Sequence, residues 1–428
     1  MNFAERRARV FERMGPDAVL LLPSTPTYIR NNDVEHEYRP DSDLYYLTGF
    51  REASSLAVLS TGRCEHPFVL YVRARDPARE LWDGARVGVD GARGIFGADA
   101  GRNIDELDAT LTDLLLDRRR LYYAIGRDRA MDDKVFAALA MARRRARKGR
   151  FAPTEIVEPS TILHEMRWSK DDAELATMQR AADISAKAFE RALAVRAPGL
   201  YEYEIEAELR GCFRRMGSER PAYEPIVASG PNACTLHYVT NDRRMEDGDL
   251  LLIDAGAESG GYASDVTRTF PVNGRFSPAQ RRVYEAVLRA QLAAIDAVRP
   301  GATLPEVHRV AVRSLTESML ELGLLEGSVD ALIESEDYKR FYMHGTSHWL
   351  GMDVHDVGLE WIDGAPRPFA PGCVLTVEPG LYIRADDERA PAEYRGIGVR
   401  IEDDVVVTSG APRVLTAHIP KDPSALER

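Results

Sequence analysis

Two aspartates interrupt a stretch that is otherwise aliphatic. In LLLIDAGAESGGYASDVTRTF, residues 250–270, Asp254 ends a Leu-Leu-Leu-Ile run and Asp265 follows a Gly-rich turn. Aspartate is a poor strand former, and a carboxylate among aliphatic side chains is costly to bury. A turn centred between Ser259 and Gly260 would set the two residues opposite each other in an antiparallel hairpin, with Cβ atoms about 5 Å apart. Like charges that close require a cation or a shared proton. A pair of divalent metals roughly 3.5–4 Å apart, bridged by carboxylates and a water, would satisfy them. The other reading is a surface hairpin whose aspartates point to water.

A related pattern lies downstream. DGDLLLID (247–254) and PGCVLTVE (371–378) share a glycine, a strand-like run and a carboxylate six residues after the glycine. Each precedes a second strand-like segment with another carboxylate, Asp265 in the first and Glu402 in the second, the latter across a longer connection. The echo suggests a duplicated architecture with a metal site between its halves. HGTSHWLGMDVHD, 344–356, adds three of the nine histidines, His344, His348 and His355. His344 and His348 have the spacing of a helical zinc pair, but Gly345-Thr346-Ser347 is poor helix and no glutamate follows the first histidine. Four carboxylates and one imidazole make a hard, oxygen-rich donor set. It suits a pair of Mn(II), Co(II) or Zn(II) ions better than a single structural zinc. Arg400 and Glu402 are two apart and share a face on a strand. Arg400 there orients a ligand carboxylate, balances charge, or makes an ordinary cross-strand ion pair.

These residues need a scaffold, and 428 residues are too many for one ordinary core, so two domains are expected. Hydrophobic content of 44% and charged content of 29% belong to a globular chain in water. The net charge of −12 argues against general binding to nucleic acid or anionic membrane. The basic stretches DRRRL (117–121) and MARRRARKGR (141–150) are local, the second reading as the solvated end of a helix. Cys64, Cys212, Cys234 and Cys373 are scattered, which suits a reducing compartment and offers no disulfide framework. No run approaches a membrane span or a signal-peptide core, so the cytoplasm is the default.

Along the first 160 or so residues, an N-terminal amphipathic helix is followed by strand-like runs at DAVLLLP, DLYYLTGF, SSLAVLS and PFVLYVRA. The helical IDELDATLTDLLLD completes an α/β pattern. Residues 150–169 lose periodicity and carry two prolines, marking a boundary. A long helix then starts at a capping box of Ser169 and Asp172 and ends at Pro198-Gly199. Two more helices open with the boxes Ser277/Gln280 and Thr303/Glu306. Their apolar stripes are core.

HGTSHWLGMDVHD, LLIDAGAESGGYASDVTRTFPVNG, VLTVEPGLYI and YRGIGVRIEDDVVVT resemble the C-terminal domain of the creatinase/aminopeptidase P/prolidase family. RNNDVEHEYRPDSDLYYLTGF, ELWDGARVG and HEMRWSKDDAEL extend the resemblance into the N-terminal half and the junction, closest to the aminopeptidase P branch. It implies an α+β chain, with a smaller α/β domain over residues 1–163 and a pita-bread metallopeptidase domain with internal pseudo-symmetry over 164–428. The implied ligands of two divalent metals, most simply Mn(II), are Asp254, Asp265, His348, Glu378 and Glu402. Binding-only members and the metal-free creatinase depart from that set, whereas this chain keeps it.

The family's further histidines fall on His237, His344 and His355, and its supporting groups on Tyr382 and Arg400. Tyr223 resembles a residue lining a proline pocket. Asp33 and Trp82 match positions that reach a neighbouring subunit's site in tetrameric relatives. The implied activity is an exopeptidase that removes the first residue from peptides with proline second, through a metal-bridging hydroxide. Glu378 would move the proton, and His355 or His237 would hydrogen-bond the developing charge. A homodimer or homotetramer is expected, without nucleic acid or membrane partners. The nearest alternative is a prolidase restricted to Xaa-Pro dipeptides. A binding module would show ligand losses, organophosphate hydrolysis is a side activity of prolidase-like relatives, and methionine aminopeptidases lack an N-terminal domain of this size.

Overall fold

The computed structural model describes residues 2–427, which divide into two compact units, one ending at Met166 and the other beginning at Arg167. The division falls inside the helix Ser160–Trp168. None of the described helices is long and apolar enough to cross a membrane.

The N-terminal unit is built on a six-stranded mixed sheet. Its spatial order is Ala100–Asn103, Phe68–Val72, Leu56–Ser60, Ala18–Pro23, Arg120–Tyr122, Glu155–Val157. The central strands are continuous apolar runs buried on both faces. On one face Val19, Leu21, Val58 and Tyr71 meet Leu111 and Leu115 of the helix Leu107–Leu115 and Val135 and Leu139 of Arg129–Arg145. The arginines of the 141–150 stretch are exposed at the end of that last helix, as their clustering suggests.

DLYYLTGF, expected as a strand, is instead the core of a helix, Ser42–Thr48. Asp41 caps it by accepting from the Leu44 amide, and Gly49, at φ 71°, closes it with its own N–H on Tyr45 O. All seven residues are buried, so the segment has no polar face and its periodicity cannot announce a helix.

The C-terminal unit repeats one theme twice: long helices beside a three-stranded antiparallel sheet. The first sheet orders Ile226–Ser229, Leu250–Asp254 and Thr267–Pro271; the second orders Val374–Val377, Asp403–Val406 and Arg413–Val414. Ile184 and Phe189 of the helix Asp172–Val195 and Val283 and Val287 of Pro278–Asp296 share a core with Leu251, Ile253, Phe270 and Val399. The boxes at Ser277 and Thr303 form as expected. The first helix starts later than expected, capped by Asp171 with Glu174. Ser169 is engaged elsewhere, in a bridge to Cys373 and a hydroxyl bond to Pro371 O.

Register decides where the carboxylates meet. Ser259 pairs with Tyr262, so the first hairpin turns at Gly260-Gly261, one residue later than the sequence suggested. Asp254 therefore lies opposite Thr267, not Asp265. Asp265 sits in the gap between Tyr262–Ala263 and Thr267–Pro271. That gap is tight: a Cβ on Gly256 would come within 1.6 Å of Ser264 O. In the second hairpin Val377 pairs with Asp403 and Gly380 with Arg400, leaving Glu378 and Glu402 across from each other at the break between the ladders. The sequence echo extends to the backbone, with Gly248 at φ 91° and Gly372 at φ 90°.

Candidate active site

The carboxylates converge at the two breaks in the ladders. Asp254 ends its strand, and Glu378 is held by its amide on Thr346 O at 2.8 Å. Glu402 is fixed twice by Thr267, through its amide on Thr267 O at 3.0 Å and from the Thr267 hydroxyl to Oε2 at 2.7 Å. His348 lies in non-helical chain, where its amide donates to Thr376 Oγ1 at 3.1 Å. Its Nδ1 lies 3.0 Å from Trp349 O and donates there. Nε2 is thereby left to face Asp265 Oδ2 at 3.4 Å and Glu378 Oε1 at 3.6 Å, the arrangement of an imidazole prepared to ligate.

Donor atoms of Asp265, His348 and Glu402 lie within 4.8 Å of one another. Asp254 and Glu378 flank that group. Asp254 is turned toward Arg400 and Tyr223, whose hydroxyl lies 2.5 Å from Oδ1 of both Asp254 and Asp265. One hydroxyl hydrogen serves one of those oxygens, so the pair needs a further proton or a cation.

Burial and the neighbouring like charges push the carboxyls of Asp254 and Glu402 up, the latter well above the usual range, and Glu378 up to about 7. Burial alone would lower the His348 imidazole, but its bond to Asp265 and the charges of Asp265 and Glu378 outweigh that and hold it at about 9. A cluster so short of positive charge, mostly oxygen and with one imidazole directed inward, fits divalent cations.

A second layer supports the first. Arg400 is buried, with Nη2 on Asp254 Oδ2 at 2.5 Å, Nη1 on the Tyr382 hydroxyl at 3.0 Å and Nε on Thr267 Oγ1 at 3.1 Å. It is both charge balance and cross-strand partner. His344 Nδ1 faces Gly345 O at 2.7 Å and Nε2 the Tyr382 hydroxyl at 2.9 Å. The consistent assignment runs from Arg400 to Tyr382 to His344 to Gly345, each donating to the next. Burial and the charge of Arg400 lower His344 to about 4, so its ring is neutral at pH 7.

His355 is exposed and meets the His348 ring edge-on, centroids 4.4 Å apart. His237 is exposed and close enough to press electrostatically on His344 and His355. Asp33 and Trp82 belong to the N-terminal unit. Asp33 lies in the exposed hairpin formed by Ile29–Asn31 and Val34–Glu35, and Trp82 is 87% exposed on the helix Pro77–Asp83. Among the described residues neither side chain has a hydrogen bond or ion pair.

Sequence reasoning missed three supporting residues. Thr267 braces both Glu402 and Arg400. Asp404 accepts from the Asp265 amide at 3.1 Å and the Ser264 hydroxyl at 2.9 Å, and burial and the charge of Asp265 push its carboxyl well up. Glu202, fully buried, accepts from Ser229 N at 2.6 Å, Ser229 Oγ at 2.7 Å, Asn232 Nδ2 at 3.2 Å, Tyr238 Oη at 2.8 Å and Arg243 N at 2.9 Å. It thereby ties down the segment that carries His237. A threonine in a strand and a glutamate in a helix's first turn are what propensity prefers, so neither stands out; the one signal for Asp404 is its place in the IEDD run beside Glu402.

Comparison with known proteins adds an independent line. The model of metallopeptidase family M24 matches residues 176–409, and that of the aminopeptidase P N-terminal domain matches residues 3–122. The Xaa-Pro aminopeptidase of Escherichia coli is 43% identical over 427 residues, covering 100% of this chain and 96% of that protein. The solved aminopeptidase PepP of Pseudomonas aeruginosa superposes with a TM-score of 0.97 at 50% identity, covering 99% of this chain and 96% of that one. A zinc-substituted Escherichia coli aminopeptidase P in complex with product gives 0.96 at 42% identity, covering 99% and 96%.

Proposed function

Because the chain belongs to metallopeptidase family M24 and carries an aminopeptidase P N-terminal domain, we propose that it is an Xaa-Pro aminopeptidase. It would release the first residue of peptides with proline in the second position. The relatives named Xaa-Pro aminopeptidase, matched over the full chain, support this over a prolidase. The observation that carries the reading is the imidazole of His348, locked by its bond to Trp349 O with Nε2 facing Asp265 and Glu378.

Asp254, Asp265, His348, Glu378 and Glu402 would hold two divalent cations. Bound there, these supply Lewis acidity toward the scissile carbonyl and lower the pKa of water. Mn(II) is our choice for this oxygen-rich set, with Co(II) and Zn(II) compatible; the zinc-substituted neighbour supports a divalent site without fixing its native occupant.

Glu378 would take the proton of the attacking water and hand it to the leaving nitrogen. His355 and His237, on the exposed side, would donate to the carbonyl oxygen as charge develops. Neutral His344 and Tyr382 would line the substrate side, and Arg400 would keep Asp254 ionised next to the peptide's free amino group. Tyr223 would border the proline pocket. The exposed Tyr28, Ile29, Val34, Leu81 and Trp82 support a homodimer or homotetramer, in which Asp33 and Trp82 reach a neighbouring subunit's site. Four cysteines, none of them in a disulfide among the described residues, support a cytoplasmic setting.

The test is metal-stripped protein given Mn(II), assayed on an Xaa-Pro-Yaa tripeptide and the matching Xaa-Pro dipeptide. Metal-dependent cleavage that favours the tripeptide is expected. Dipeptide-only cleavage would make it a prolidase, and no cleavage with Mn, Co or Zn would overturn the enzymatic reading.

A further inference from the structure

The segment after Trp349 has no helix or strand of its own, yet it carries His355. Its backbone is held at three points: Ala263 N on Gly351 O at 2.8 Å, Gly351 N on Asp353 O at 3.1 Å, and Asp356 N on Trp349 O at 2.9 Å. Beneath it lies a cluster of buried charges. Arg167 Nη2 reaches Asp356 Oδ1 and Asp353 Oδ2, each at 2.7 Å, and Lys170 Nζ reaches Asp356 Oδ2 at 2.9 Å. The side chains of Arg167, Lys170 and Asp356 are 3%, 1% and 1% exposed. The loop wraps the carboxylate so closely that a Cβ on Gly351 would come within 2.1 Å of Asp356 Oδ2.

Burying an ion pair costs much of what the pairing returns, and apolar residues of similar volume commonly stabilise a fold as well. What the ionic arrangement adds is direction, since two cations from one segment fix both oxygens of one carboxylate. We propose that Arg167, Lys170 and Asp356 form an anchor that positions His355 against His348.

His355 directly precedes Asp356 in this tight bend, so fixing the Asp356 carboxylate fixes the backbone from which the His355 ring meets that of His348. The same segment also steadies the strand that leads to Glu378, because Lys170 N donates to Gly372 O at 2.9 Å. Arg167 and Lys170 come from HEMRWSKDDAEL, the junction stretch to which the catalytic reading assigns no role.

The inference rests on His355 acting on substrate, so the test is a double-mutant cycle through that residue. The Mn(II)-loaded protein is compared with His355→Ala, Asp356→Asn, Lys170→Gln and the two doubles for kcat, KM and metal content. Asp356→Asn and Lys170→Gln should each lower kcat about 10-fold or more without loss of metal, since small misplacements of a reacting group are that costly. In the His355→Ala background both should change kcat by less than about twofold. In the metal-free protein the Asp356 amide should exchange hydrogen faster in either variant.

An equal loss of kcat with and without His355 would overturn the anchor. So would wild-type kcat in both folded single variants. Should Asp356→Asn fail to fold, Lys170→Gln, which keeps the Arg167 pair, decides alone. Wild-type kcat in His355→Ala would instead remove the role of His355, and the positioning claim with it.

Discussion

A tyrosine hydroxyl has one hydrogen, and Tyr223 presents it to two carboxylates at equal distance. Tyr223→Phe should therefore destabilise the metal-free protein by about 1–3 kcal/mol, and the metal-loaded protein by less, since cations take over the same oxygens. Thermal unfolding with and without Mn(II) measures the difference; equal losses in both states would refute it. His348→Ala should weaken metal binding at least tenfold by elemental analysis, whereas His355→Ala should keep its metal and lose turnover. Full metal and activity in both would undo the assignment. At this scale Asp254 and Asp265 stand out as charge among aliphatic residues, and Glu378 and Glu402 through the echo of that pattern, whereas only the family resemblance singles out His348 from its neighbouring histidines. Thr267, Asp404 and Glu202 were not legible, because their work depends on who lies opposite them, which residue type does not record.

Elements were legible where both halves of a signal lie close in sequence. The boxes at Ser277 and Thr303 have their partners three residues on, and both formed. At the start of the 172–195 helix, Ser169 and Asp171 are both capping types, and the choice fell to a long-range bridge that occupies Ser169. The Asp254–Asp265 register was misjudged by one residue for a similar reason, since Ser259, Gly260 and Gly261 all suit a turn. What brings the aspartates together is instead the tight passage of Gly256 beside Ser264. Gly256→Ala should cost about 3 kcal/mol or more, because a Cβ at 1.6 Å must displace backbone. A denaturant midpoint near that of the wild type would show that the Ser264–Asp265 segment is free to shift.

For the whole molecule, the site's charges set a pH dependence. In the metal-free protein Glu378 is raised from 4.5 to about 7 and His348 from 6.5 to about 9, so the folded state holds these protons more tightly than the unfolded chain. Their contribution is complete below the unfolded values and is lost as pH rises through the folded ones. His344, lowered to about 4, gives an opposite slope that ends by 6.5. Between pH 6.5 and 9 the metal-free protein should thus lose stability, by up to about 1.4 kcal/mol per pH unit for one proton. The metal-loaded protein should lose less, and unfolding curves at a series of pH values, with and without metal, would check this. Parallel curves would count against it.

The duplicated hairpins have one more consequence. Arg400 of the second neutralises Asp254 of the first, Thr267 of the first braces Glu402 of the second, Asp404 of the second receives the Asp265 amide of the first, and Arg268 of the first pairs with Asp403 of the second. All four of these ties cross between the halves. Each half therefore supplies part of the other's charge balance, as Arg400 does for Asp254 and Arg268 for Asp403. The donor set is divided in the same way, with Asp254 and Asp265 in the first half and His348, Glu378 and Glu402 in the second, so a chain with only one half in place should bind a divalent cation far more weakly than the whole unit.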